Sequence, residues 1–224
     1  MSKLRDILLY TSDFNDDEFL DERMSFFNSK WSIQEMFLYQ LRKVDVKSFF
    51  KFNIQLTAIE STEQLEVRTG KIVEVLRYFD FDSYFLLSNF EKKKLLLNIM
   101  YEELLKQANK GELKRKLVED AYNHCLDNDL YFKFRLSNKV FRSPCRSYYG
   151  ALDCEWDMNT IIITAIIYDT KKVRNELMRK VLYEGKDFGP YIWSSSIYWN
   201  KTCFSFEITS PESRKGIWFI EANK

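Results

Sequence analysis

The sequence predicts an α+β protein in which a helical hairpin over about 88–126 packs on an antiparallel β-meander filling the C-terminal half. Three observations predict it. Apolar residues between Ser88 and Cys125 recur at helical spacing, and from Leu130 onward the period drops to two. Turn signals then separate one alternating run from the next, as hairpin-connected strands require.

Residues 1–87 form a mixed segment. Leu4 to Tyr10 predicts a strand, followed by an acidic stretch from Asp13 to Glu22. Segments 32–41 and 71–78 fit either helix or strand. Phe50, Phe52, Ile54, Leu56 and Ala58 alternate, which predicts a strand over 49–59. Ser88 and Glu91 have the spacing of a capping box, in which each side chain satisfies an otherwise unpaired amide of the first helical turn. Leu96, Leu97, Met100, Leu104, Leu105 and Ala108 continue that helix, and Gly111 is placed to end it. A second helix presents Leu113, Leu117, Ala121 and Cys125 on one face, with Val118 and Tyr122 beside them. So short a link predicts an antiparallel pair.

The β-rich segment, 130–224, predicts strands over 130–136, 138–142, 148–156, 160–168, 190–199, 202–209 and 215–221. Ser143-Pro144, Asp157 to Asn159, Asp169 to Lys172, Asn200-Lys201 and Ser210-Pro211 supply the turns. Over 172–183, Val173, Leu177 and Val181 suit a helix, while a return after Asp169 suits a strand, the reading we favour. No repeat or linker interrupts the chain, so 1–224 reads as a single composite domain.

Composition narrows the function classes. Of 224 residues 46% are hydrophobic and 17% aromatic, with only 3 Pro and 6 Gly, which is the composition of a folded chain. The net charge of +1 advertises no polyanionic partner. The apolar stretch near Met1 contains Asp6, and the run from Ile161 to Tyr168 is far too short to span a bilayer, so a cytoplasmic protein is expected. Cys125, Cys145, Cys154 and Cys203 form no CxxC pair, and the chain has 1 His. Buried apolar cysteines are therefore expected, with no zinc and no cofactor.

Catalytic patterns are sparse. His124 and Cys125 are adjacent in a predicted helix and point apart, so they do not suit a nucleophile–base pair. Asp13, Asp16, Asp17 and Glu18 lack the glycine-centred spacing of a calcium loop. Asp80 and Asp82 would share a strand face or cap a turn. Asp153 and Glu155 also share a strand face and, with Asp157, are the best candidates for a metal-dependent hydrolase or nuclease. Glu91-x-Lys93 has the letters of a nuclease motif inside a helix start, where that chemistry does not fit. Neither a phosphate-binding glycine loop nor a GxSxG elbow is present.

Between 132 and 149, Lys133, Arg135, Lys139, Arg142 and Arg146 interleave with Phe132, Phe134, Phe141, Tyr148 and Tyr149. Such strands suit a nucleic-acid or ligand-binding module with stacking platforms. Equally, the aromatics face a core and the cations face water, where they can dock an acidic protein. Tyr191, Trp193, Tyr198, Trp199 and Trp218 supply core or interface anchors.

The string from Glu74 to Tyr84, Glu91 to Leu97, Ala121-Tyr122 and Ser143-Pro144-x-Arg146 followed by an aromatic strand is similar to stretches in uncharacterised immunity-type cytoplasmic proteins of low-GC Gram-positive bacteria. The resemblance implies a non-enzymatic factor that masks the functional surface of a protein partner such as a cognate toxin. Its partner-binding surface is expected at Asp13, Asp16, Asp17 and Glu18, and at Arg135, Arg142 and Arg146. The alternatives are a metal site near Asp153 and Glu155, or nucleic-acid binding by strands 132–149.

Overall fold

The computed structural model describes residues 2–11, 20–60, 65–169, 175–185, 189–209 and 215–222. It is α+β and divides into two compact units, Met1–Tyr131 and Phe132–Lys224. The division falls where the sequence period changes from helical to alternating.

The first unit is built on a four-stranded sheet. Strands β2 (Asp6–Thr11), β4 (Lys51–Thr57) and β6 (Ile72–Tyr78) run parallel, and β5 (Glu66–Thr69) joins β6 antiparallel, in the order β2-β4-β6-β5. Two parallel strands need a crossover, and helix α1 (Leu20–Leu41) provides it between β2 and β4. Segment 32–41 is thus helical and 71–78 is a strand. A small ribbon pairs β1 (Ser2–Lys3) with β3 (Asp45–Val46). Ile7, Leu9, Phe52, Ile54, Leu56, Val73 and Val75 alternate into the core, which fixes the register of each strand.

Three more helices complete this unit: α2 (Phe81–Leu86), α3 (Asn89–Asn109) and α4 (Arg115–Asp127). Asp80 caps α2 by accepting from the Ser83 amide at 3.0 Å, so the cap reading of Asp80 holds over the strand reading. The capping box of α3 is complete: the Ser88 amide donates to Glu91 Oε2 at 2.9 Å, and the Glu91 amide to Ser88 Oγ at 3.4 Å. Gly111 stands at φ +76°, where an L side chain would strain the link. The hairpin forms as expected, with Tyr101 and Tyr122 stacked at 4.1 Å, and it packs against α1. Leu117 departs from the expected face. Val118, Ala121 and Cys125 form the buried stripe, and Leu117 lies at its exposed margin.

The second unit carries two antiparallel meanders. In the first, β7 (Phe132–Arg135), β9 (Tyr148–Trp156), β10 (Ile161–Asp169) and β11 (Glu176–Gly185) pair in the order β11-β10-β9-β7, and β8 (Phe141–Arg142) also pairs with β9. In the second, β12 (Ser196–Asn200), β13 (Cys203–Thr209) and β14 (Lys215–Glu221) pair in chain order. The expectation of a strand over 172–183 holds for Glu176 onward, while 170–174 and the Ser210-Pro211 turn lie outside the described residues.

Two expected strands are corrected. Over 138–142 only Phe141–Arg142 pairs, because the chain makes a tight turn at Leu136–Asn138 with Ser137 at φ 61° and Asn138 at φ 50°. Over 190–199 a 3₁₀ turn occupies Gly189–Ser194 and the strand begins at Ser196. Pro190 has no amide to give a ladder, and the turn lets Trp193 stack on Phe134 at 4.8 Å.

Candidate binding surface

Register sets one face of the five-stranded sheet, which is buried at its centre (Ala151, Thr164 and Ile166) and carries charges on the flanking strand β7. On β9 the residues Tyr149, Ala151, Asp153 and Glu155 share one side, opposite the core residues Gly150, Leu152, Cys154 and Trp156. Cross-strand neighbours then bring Lys133 and Arg135 of β7, Arg142 of β8, and Ile162, Thr164, Ile166 and Tyr168 of β10 onto the same side. Phe132 and Phe134 are buried. The aromatics of β7 therefore face the core and its cations face outward.

These charges are mutually satisfied. Arg135 grips Asp153 with two hydrogen bonds, Nε to Oδ1 at 2.8 Å and Nη2 to Oδ2 at 3.2 Å, and also donates to the Tyr168 hydroxyl at 3.0 Å. Those hydrogen bonds, Asp153's first, raise the Arg135 pKa above its usual value. Lys133 pairs with Glu155 at 3.0 Å, and Arg179 with Glu176 at 2.8 Å. The two acids singled out for a metal site thus each have a cation, and both oxygens of Asp153 accept from Arg135. Among the described residues no group of three or more His, Cys, Asp and Glu side chains converges as metal ligands would.

Arg142 is exposed, its guanidinium 6.0 Å from the Tyr149 ring centre. Arg146 is exposed in the Ser143–Ser147 turn at φ 61°. The structure therefore brings Arg135 and Arg142 onto one sheet face and puts Arg146 in the turn leading into β9. Asp13, Asp16, Asp17 and Glu18 lie outside the described residues. Cys125 and Cys154 are buried as expected, and burial pushes the Cys125 thiol up to about 12. Cys145 is instead exposed, since the Ser143–Ser147 turn carries it outward. His124 accepts from Asn128 Nδ2 through its backbone carbonyl at 2.8 Å and borders a pocket of about 270 Å³ with Asp120 and Gln40.

The feature that sequence reasoning missed is apolar. On β14, Ile217 and Phe219 are each 52% exposed, and register sets Phe219, Ser205 and Tyr198 in one row across β14, β13 and β12. Their opposite face buries Phe204, Phe206 and Ile208. Lys180 of β11 borders the strip, its Nζ donating to the Phe219 carbonyl at 3.3 Å, while the half-exposed Val181 lies on the other side of that strand. The alternation Gly216-Ile217-Trp218-Phe219-Ile220 signalled it: every residue after the glycine is apolar, so whichever face packs, the other is left greasy. Charges of both signs border the strip, including Lys180, Glu207 and Glu221.

No helix among the described residues is long and apolar enough to cross a membrane. No family model, curated protein or solved structure gives a match to this chain.

Proposed function

We propose that the chain is a protein-binding factor of the immunity or defence type, which acts by covering a functional surface of a protein partner such as a cognate toxin. The observation that carries this reading is the exposed apolar face of the second meander, where register sets Tyr198 of β12 and Ile217 and Phe219 of β14 on one side of the sheet. Ile217 and Phe219 each leave half their surface in water on the sheet face they share with Tyr198, and contiguous apolar patches mark interaction sites. Aromatic and aliphatic anchors supply most of the energy of protein interfaces, and the mixed-sign rim supplies specificity. The resemblance to immunity-type proteins points the same way.

The test is a purified complex with the product of the adjacent gene. Nanomolar binding is expected, weakened at least about a hundredfold by Ile217→Glu with Phe219→Glu, while far-UV circular dichroism and the melting temperature hold. Absence of a complex, or a complex indifferent to both charges, would remove the reading.

A further inference from the structure

The first unit contains a partly enclosed cavity of about 410 Å³, within the size range of small-ligand sites. Three lysines approach it from separate segments: Lys43 after α1, Lys47 after β3, and Lys114 at the start of α4. None of the three forms an ion pair among the described residues. Lys47 is held in place by its own backbone, whose amide donates to the Glu112 carbonyl at 3.0 Å. Its Nζ lies over the α3–α4 link, 3.5 Å from where a Cβ on Gly111 would stand.

Two acids also line the cavity, and both are already engaged. Asp45 pairs with Lys3 at 2.7 Å. That hydrogen bond, with a smaller contribution from the charge of Lys114, holds its carboxyl below the usual range. Glu112 pairs with Arg68 at 3.0 Å and accepts from the Ser48 amide and hydroxyl. With these acids held by cations beyond the wall, three lysines from separate segments line one concavity, and none makes an ion pair among the described residues. Leu113 and Leu117 complete the wall with an apolar surface. The N-terminus of α4, with no side-chain cap and no acid in its first turn, adds to this field without making the site.

We propose that this cavity binds a small phosphate monoester with an apolar or aromatic body, of the size of a nucleoside monophosphate. Lysine ammonium groups are compact point charges suited to phosphate oxygens. The pair of leucines accounts for the body, and the volume exceeds what a bare anion needs. This site requires no partner protein, and it stands or falls independently of the strip on the second unit.

Calorimetric titration of the full chain at low salt with AMP, inorganic phosphate and adenosine tests it. AMP is expected to bind, with phosphate and adenosine each at least about tenfold weaker. Lys47→Gln with Lys114→Gln is expected to lower AMP affinity at least about tenfold and, both side chains being exposed, to leave the melting temperature unchanged. Three results would overturn the assignment: no heat with AMP, undiminished binding by the double variant, or adenosine as tight as AMP. Phosphate binding as tightly as AMP overturns the role given to Leu113 and Leu117.

Discussion

The two units differ in the polar groups they bury. In the first, long charged side chains go inside: Lys30, Glu35, Lys92, Lys93 and Glu103 are all buried there. In the second, the buried polar residues among those described are the hydroxyls Ser143, Thr164 and Ser205, and none is charged. The buried charges of the first unit are matched by partners. Glu103 accepts from Arg77 and Lys106, Lys93 donates to the Leu130 carbonyl at 2.9 Å, and Glu35 accepts from Arg42. Buried ions with such partners are an architectural solution to helices that are polar on more than one side. Both units leave large apolar side chains in water, Leu86 and Val67 of the first among them, and the functional reading rests on the second because register sets Tyr198, Ile217 and Phe219 on one sheet face.

The largest effect comes from breaking the first unit where its elements meet. Phe26 of α1 is fully buried and packs edge-on against Phe79, Phe81 and Tyr84, whose rings lie 5.8 to 6.3 Å away. Phe26→Ala is expected to destabilise this unit by about 3–5 kcal/mol, the range for emptying a buried aromatic site. Amide exchange in α3 reports the loss. Protection there unchanged would mean that the aromatic cluster is not what joins α1 to α2.

The next effect tests buried charge directly. Lys30 Nζ donates to the Leu9 carbonyl at 2.7 Å and lies 4.3 Å from the Phe27 ring centre, without a carboxylate partner among the described residues. Burial alone pushes its pKa down to about 8. An unfolded lysine titrates near 10.4. Between those values the unfolded chain takes up a proton that the fold refuses, so stability falls as pH drops from above 10 to 8 and levels off below. The full change is about 3 kcal/mol. Lys30→Met is expected to flatten this slope in denaturant titrations across that window, and an unchanged slope would show that the ammonium is solvated.

How much of this was legible depended on whether a signal was local. The capping box at Ser88, the stop at Gly111 and the alternation of β9, β13 and β14 are written in neighbouring residues, and all are found. Helix α1 was ambiguous over 32–41 because it buries polar and apolar positions alike (Ser32, Gln34 and Glu35 beside Ile33, Met36 and Phe37), which erases the periodic stripe. The parallel pairing of β2, β4 and β6 joins segments dozens of residues apart and leaves no local trace. The same holds for the binding residues. Arg135 was found from composition, but its engagement with Asp153 and Tyr168 depends on cross-strand register. The lysines of the cavity come from three segments that sequence spacing does not connect.

The smallest effect probes the charged face of the second unit. Arg135 and Asp153 side chains are each about one-third exposed. Water screens such a pair, and the usual worth of a surface ion pair is below about 1 kcal/mol. Two parallel hydrogen bonds and the Tyr168 hydroxyl place this one at the upper end of that range. Asp153→Asn keeps the shape and removes the charge, so it is expected to cost about 0.5–1 kcal/mol, less at high salt. If the same substitution also abolished a stabilisation by added divalent cations, Asp153 would be a metal ligand in solution and the pairing with Arg135 a resting arrangement. Chemical denaturation with and without magnesium or manganese separates the two cases. An equal loss in both marks the pair as a strut that holds β7 against β9, leaving recognition to the apolar strip.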